Sequence, residues 1–200
     1  MTLAVLAGGA STRMGRNKAL LPIAGRPLIA HIIQRLRAIA DEVIVIARDP
    51  APYAFLGLPI ATDHYTGIGP LAGLHAALSA ARGDLVALVA CDMPFVRADV
   101  FAHLIGLAYD VDVVMPRLDG REEPLHAVYR RRTCLPAVEA TIAEGKRRLI
   151  AFLPRVRVRY VDGDALRALD PDLQSFVNVN TPEEWEQAKE RLASQAQRKP

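Results

Sequence analysis

Three segments of this chain gather the residue types that handle phosphate and metal. The first reads Leu6-Ala-Gly-Gly-Ala-Ser-Thr-Arg-Met-Gly-Arg-Asn-Lys18. Glycines at 8, 9 and 15 let backbone N–H groups turn toward an anion. Ser11 and Thr12 add hydroxyls, and Arg13, Arg16 and Lys18 add positive charge. The spacing is not that of a Walker A loop, because Arg-Asn-Lys follows Gly15. The second segment is the apolar run Leu85-Val-Ala-Leu-Val, which leads into Ala90-Cys-Asp-Met-Pro94. A carboxylate at a strand tip beside a phosphate loop suits Mg²⁺, which takes one or two carboxylates together with phosphate oxygens and water. Asp92 is therefore the candidate metal ligand. Arg97 and Asp99 are better placed than Asp92 to start the following helix, and Cys91 reads as a small core residue.

The third segment, Asp63-His-Tyr-Thr-Gly-Ile-Gly-Pro-Leu-Ala-Gly73, is a second glycine-rich loop opening a helix. Its glycines miss the GxGxxG spacing by one, Pro70 intrudes, and no clear strand precedes it, so a dehydrogenase reading is weak. Free N–H groups before Leu71 suit a base edge or phosphate, and Asp63 suits a ribose hydroxyl, a base or the closing of the turn. Near the C-terminus, Asn178 and Asn180 offer amides at what reads as a strand end, although Asn180 suits a helix cap nearly as well.

The elements that must position these residues alternate between strand and helix. Strands are expected at Leu3 to Leu6, Val43 to Ile46, Leu58 to Ala61, Leu85 to Val89, Val111 to Met115, Ala127 to Tyr129 and Val156 to Val161. Helices are expected from Pro27 through Ile39, from Pro70 to near Gly83, from Arg97 to Leu107, and between Leu135 and Ala143. A turn falls at Asp119-Gly120. A last helix opens at Thr181 as N-cap, with Pro182 in its first turn and Glu184 completing a capping box. Alternation of this kind implies an α/β, three-layer Rossmann-like sandwich with a mostly parallel central sheet and helices on both faces. Ligands then belong beyond the carboxyl ends of the strands. No linker interrupts the pattern, so residues 1–193 read as one domain and 194–200 as a frayed, disordered tail.

Bulk properties exclude several classes. Lys and Arg number 25 against 22 acidic residues, a net charge of +3 that points to neither nucleic acid nor a membrane surface. Two distant cysteines outside any CxxC arrangement make no disulfide framework. The N-terminus lacks a signal-peptide pattern, and no stretch reaches the ~20 apolar residues of a bilayer span, so a cytoplasmic protein is expected. The arginines between Arg117 and Arg148 read mostly as a solvated face, and His126 as a packed or turn residue.

The motifs together resemble those of the molybdenum cofactor guanylyltransferases, MobA type, within the nucleotidyltransferase superfamily. The resemblance is carried by Leu6-Ala-Gly-Gly-x-Ser-x-Arg-Met-Gly-x-x-Lys18, Gly69-Pro-Leu-Ala-Gly73, Cys91-Asp-Met-Pro94, Pro124-Leu-x-Ala-Val-Tyr129 and Asn178-Val-Asn-Thr-Pro182. It implies transfer of GMP from GTP to the phosphate of molybdopterin with Mg²⁺. It also implies nucleotide contacts at Leu6, Ala7, Gly8, Gly9, Lys18, Asp63, Gly73 and Asp92, and catalytic roles for Lys18, Arg13 and Asp92. Molybdopterin then falls to the C-terminal half, with Asn178 and Asn180. Transient contact with molybdenum-insertion proteins or recipient molybdoenzymes follows from the same resemblance. One departure stands out: where family members often carry an asparagine after the second strand, this chain has Ile46-Ala-Arg-Asp49. The competing readings are a cytidylyltransferase acting on the same cofactor, whose first loop typically reads Leu-Ala-Ala-Gly, and a non-catalytic nucleotide-binding regulatory module.

Overall fold

The structure, a computed structural model, describes residues 1–7, 17–62, 65 and 67–197. Its first strand, β1 (Thr2–Leu6), is buried at every position, as a central parallel strand covered on both faces must be. Side chains on a strand alternate between faces. Leu3 and Val5 accordingly join one core, and Ala4 and Leu6 the other.

After β1 and residues 8–16, the chain makes a small hairpin, β2 (Pro22–Ile23) and β3 (Arg26–Pro27), which the hydrophobic pattern does not announce. Its two turn residues, Ala24 and Gly25, have φ of 47° and 79°, the left-handed pair that a two-residue hairpin turn needs. Helix α1 (Leu28–Leu36) then returns to β4 (Glu42–Ile46) and β5 (Ile60–Ala61). Helix α2 (Pro70–Ala80) crosses back to β6 (Leu85–Ala90), and α3 (Ala98–Gly106) follows. Next come β7 (Val113–Leu118), β8 (Arg121–Glu122), β9 (His126–Arg130) and α4 (Arg131–Ala143). The chain closes with β10 (Val158–Asp162), the short α5 (Gly163–Leu166) and α6 (Pro182–Gln197).

The main sheet runs β10-β7-β9-β6-β1-β4-β5, with β8 paired to β7. Along that path only β9 is reversed, antiparallel to both β6 and β7. A parallel return needs a crossover helix. The stretch from β7 to β9 holds only a hairpin, turned at Asp119 (φ 48°) and Gly120 (φ 77°) as the Asp-Gly pair predicts. Helices α1, α3 and α6 cover one face through Ile32, Phe101 and Trp185 among others, and α2 and α4 cover the other through Leu74 and Val138. This is the expected three-layer α/β sandwich.

Several boundaries move. Helix α4 begins at Arg131, ahead of the expected Leu135, and holds Pro136 inside it. Strand β7 starts at Val113 and runs on to Leu118, while residues 149–155 form 3₁₀ turns before β10. Helix α6 continues through Ser194 to Gln197, past the point where the apolar pattern fades; residues 198–200 of the expected tail lie outside the described residues. No helix among the described residues is long and apolar enough to cross a membrane.

Candidate active site

The chain leaves β1 for α1, β4 and β5 on one side and then returns through α2 to β6 on the other. Order therefore reverses at β1, and the carboxyl ends of β1 and β6 frame the crevice where such sheets bind ligands. Register holds both strands together to their tips, with Leu6 opposite Ala90. One step on, the Cys91 N–H donates to the Leu6 carbonyl (3.0 Å) and the Ala7 N–H to the Ile46 carbonyl (2.8 Å). The main-chain groups expected to meet a nucleotide at Leu6 and Ala7 thus already serve the sheet. Their carbonyls retain a second lone pair each.

The ends of the glycine-rich loop are tied by a residue that the motifs did not flag. The Tyr53 hydroxyl donates to the Ala7 carbonyl (2.9 Å) and accepts from Asn17 Nδ2 (2.9 Å). Asn17 Oδ1 in turn accepts from the Ala19 N–H (3.1 Å) and caps the 3₁₀ turn Lys18–Leu20. Tyr53 is buried in a 3₁₀ segment after Pro50, where no local pattern marks it as part of a site. Between these ties, Gly8, Gly9 and Arg13 lie outside the described residues, as does Asp63 of the second loop.

Lys18 points across the crevice. Its Nζ donates to Asn180 Oδ1 (2.9 Å) and to the Val179 carbonyl (3.2 Å). The Val179 N–H donates to the Asp92 carbonyl (2.9 Å). Residues 177–180 thus form a strap over the β6 tip. They form no strand, contrary to the sequence expectation, because this single backbone bond continues into no ladder. Neither asparagine sits at a strand end. Asn178 is exposed, and the Asn180 side chain is engaged with Lys18 instead of capping α6. Capping falls to the expected box: Glu184 N–H donates to Thr181 Oγ1 (3.2 Å), and Glu184 Oε2 accepts from Thr181 N–H (3.0 Å).

Asp92 stands beneath this strap. Its Oδ1 is buried and has no hydrogen-bond partner among the described residues. Burial pushes its carboxyl above the ordinary range, and the nearby Lys18 charge pulls the other way. It caps nothing: at the start of α3, Asp99 Oδ1 accepts from the Val100 N–H and from Arg97 Nε. An unpartnered, half-charge-balanced carboxylate oxygen is the donor a hard divalent cation needs. Among the described residues no group of three or more His, Cys, Asp or Glu side chains comes together around it. The Cys91 thiol, pushed up to about 12 by burial, is no nucleophile.

Two further residues are set by packing. Gly73 lies buried in α2, where an added Cβ would stand 2.7 Å from Leu6 Cδ2, so glycine lets this helix seat against the end of β1. His126 is fully buried between the rings of Phe101 and Phe176, each 4.3 Å away, and burial brings its pKa down to about 3.

Residues 3–158 match the family described as the MobA-like NTP transferase domain. The chain belongs to this family. It is 39% identical over 186 residues to the probable molybdenum cofactor guanylyltransferase of Carboxydothermus hydrogenoformans, covering 93% of each protein. It is likewise 39% identical over 186 residues to the molybdenum cofactor guanylyltransferase of Desulfosudis oleivorans, covering 92% of each. Among solved structures it is similar to the molybdopterin-guanine dinucleotide biosynthesis protein A of Archaeoglobus fulgidus. That comparison gives a TM-score of 0.82 at 31% identity and covers 97% of this chain and 100% of the other. This MobA-like protein is therefore a nucleotidyltransferase, which removes the non-catalytic regulatory reading.

Proposed function

We propose that this nucleotidyltransferase transfers GMP from GTP to the phosphate of molybdopterin and releases pyrophosphate. The observation that carries the reading is the meeting of Lys18, Asp92 and the 177–180 strap at the switch point of the sheet. The names of its relatives support the choice of substrates.

In the transfer, a phosphate oxygen of molybdopterin donates an electron pair to the α-phosphorus of GTP. The bond from that phosphorus to the bridging oxygen breaks, and pyrophosphate leaves with the pair. The nucleophile is already an anion, so no strong general base is needed. The obstacle is repulsion between anions, together with the charge that builds on the leaving group. Lys18, and Arg13 beside it in sequence, supply the countercharge, while the loop amides hold the triphosphate. Asp92 would hold Mg²⁺, which when bound would supply positive charge against the charge that builds on the phosphates. Gly8, Gly9 and Asp63 complete the nucleotide site, and Asn178 with Asn180 faces molybdopterin.

Turnover measured with GTP, CTP and ATP at equal concentration, each with Mg²⁺ and molybdopterin, tests the reading through pyrophosphate release. A closed site that pairs with the guanine edge penalises the wrong base by roughly 10²-fold or more. Preference for CTP would overturn the guanylyl assignment and leave the transferase class intact.

A further inference from the structure

Asn180 is assigned above to the second substrate, yet its side chain is committed elsewhere. An ammonium group only donates, so the oxygen of the Asn180 amide must face Lys18, as observed at 2.9 Å. Lys18 spends a second donor on the Val179 carbonyl at 3.2 Å, and its third N–H meets no partner among the described residues. The strap is itself pinned to Asp92 through the Val179 N–H. Asn180's own backbone N–H is held by Glu184 Oε2 at 2.6 Å, so the start of α6 fixes its position. A flexible lysine stem is thereby confined by two acceptors on a rigid support, beside the carboxylate assigned to the metal.

We propose that Asn180 is a positioning residue for Lys18, holding its ammonium so that the remaining donor meets a phosphate oxygen of the nucleotide. The proposal rests on the transferase reading above, but it assigns Asn180 to the nucleotide half of the site as well as to the acceptor half. Confining the lysine before the nucleotide arrives removes an ordering cost that binding would otherwise carry.

The test is a double-mutant cycle on the full-length protein with Lys18→Ala, Asn180→Ala and both together. Binding of GTP with Mg²⁺ is measured in the absence of molybdopterin, beside kcat/KM for the complete reaction. Asn180→Ala should weaken nucleotide binding about tenfold, the scale of one hydrogen bond to a charged group. The double variant should match Lys18→Ala within about twofold. Unchanged nucleotide affinity in Asn180→Ala, or a double-variant loss equal to the product of the single losses, would overturn the proposal. A merely structural strap would lower the melting temperature in proportion to the loss and leave the cycle additive. Should Asn180→Ala melt well below wild type, Asn180→Leu keeps the volume without the acceptor and carries the same comparison. If the protein proves to bind another triphosphate, the substrate reading fails, and the cycle is run with that nucleotide.

Discussion

Asp92 and His126 lie at the same end of the sheet, one just past β6 and the other on β9 opposite Val89. Both are buried at a polar atom that meets no partner among the described residues. Their surroundings differ in two respects. Asp92 lies beyond its strand, at the crevice, with the Lys18 charge opposing the cost of its burial. His126 lies within its strand, sealed between Phe101 and Phe176, with burial alone acting on it. A buried, unmet polar atom thus marks both residues. A countercharge and a place beyond the strand end separate the group proposed to hold the metal from one kept for packing.

Breaking the Asp92 side of this comparison should produce the largest effect. Asp92→Asn keeps the volume and removes the charge a hard cation requires, so turnover should fall by roughly 10³-fold or more and the Mg²⁺ requirement should rise. Stability should move the other way. Burial raises the folded carboxyl above its unfolded value, so the ionised form costs stability once pH passes the unfolded range. At neutral pH the variant should melt at or above wild type. A magnesium titration of turnover beside a melting curve checks both; equal magnesium dependence would transfer the metal role elsewhere. Lys18→Ala comes next, with kcat/KM down about 10²-fold and the fold intact, whereas a solvated lysine would cost almost nothing.

The His126 side should respond in stability and not in turnover. Its folded pKa of about 3 lies below the ordinary 6.5, so the folded state resists protonation. The stability difference is absent above pH 6.5, grows by about 1.4 kcal/mol for each pH unit below it, and levels off near pH 3. His126→Leu should remove that slope. Urea melts of the two proteins between pH 4 and 7 should converge toward neutral pH and diverge in acid, with turnover changed less than about twofold. Parallel curves would show that the ring is relieved by some other group. The smallest effect falls on the tie across the ends of the glycine-rich loop: Tyr53→Phe loses its hydroxyl bonds to Ala7 and Asn17. It should cost about 1 kcal/mol and lower kcat/KM severalfold.

The layered α/β plan, the tips of β1 and β6 and the capping box at Thr181–Glu184 were legible in the residues, because each depends on side-chain period or a fixed offset along one segment. The turn at Asp119-Gly120 was legible for the same reason. The small hairpin of β2 and β3 was not, since Ala24 at φ 47° carries no turn signature. The start of α4 at Arg131, ahead of the expected Leu135, was not legible either, because its first residues Arg131-Arg-Thr follow β9 with no cap signal. Lys18 and Asp92 announced themselves by charge in the segments that follow β1 and β6, whereas Tyr53 did not, since its hydroxyl finds Ala7 and Asn17 only through folding.

By itself, then, the sequence determined the order of strands and helices, the loops that end at one edge of the sheet, and the family motifs spread along the chain. Only tertiary structure decided that β9 enters reversed between β6 and β7, that Gly73 serves the packing of α2 on Leu6, and that Asn180 meets Lys18. The physical reason is range. Periodicity, turns and caps are settled among neighbours a few residues apart, and so they are written locally. A lysine and an asparagine separated by 162 positions share nothing along the chain, and their contact exists because β1, β6 and α6 pack around one core.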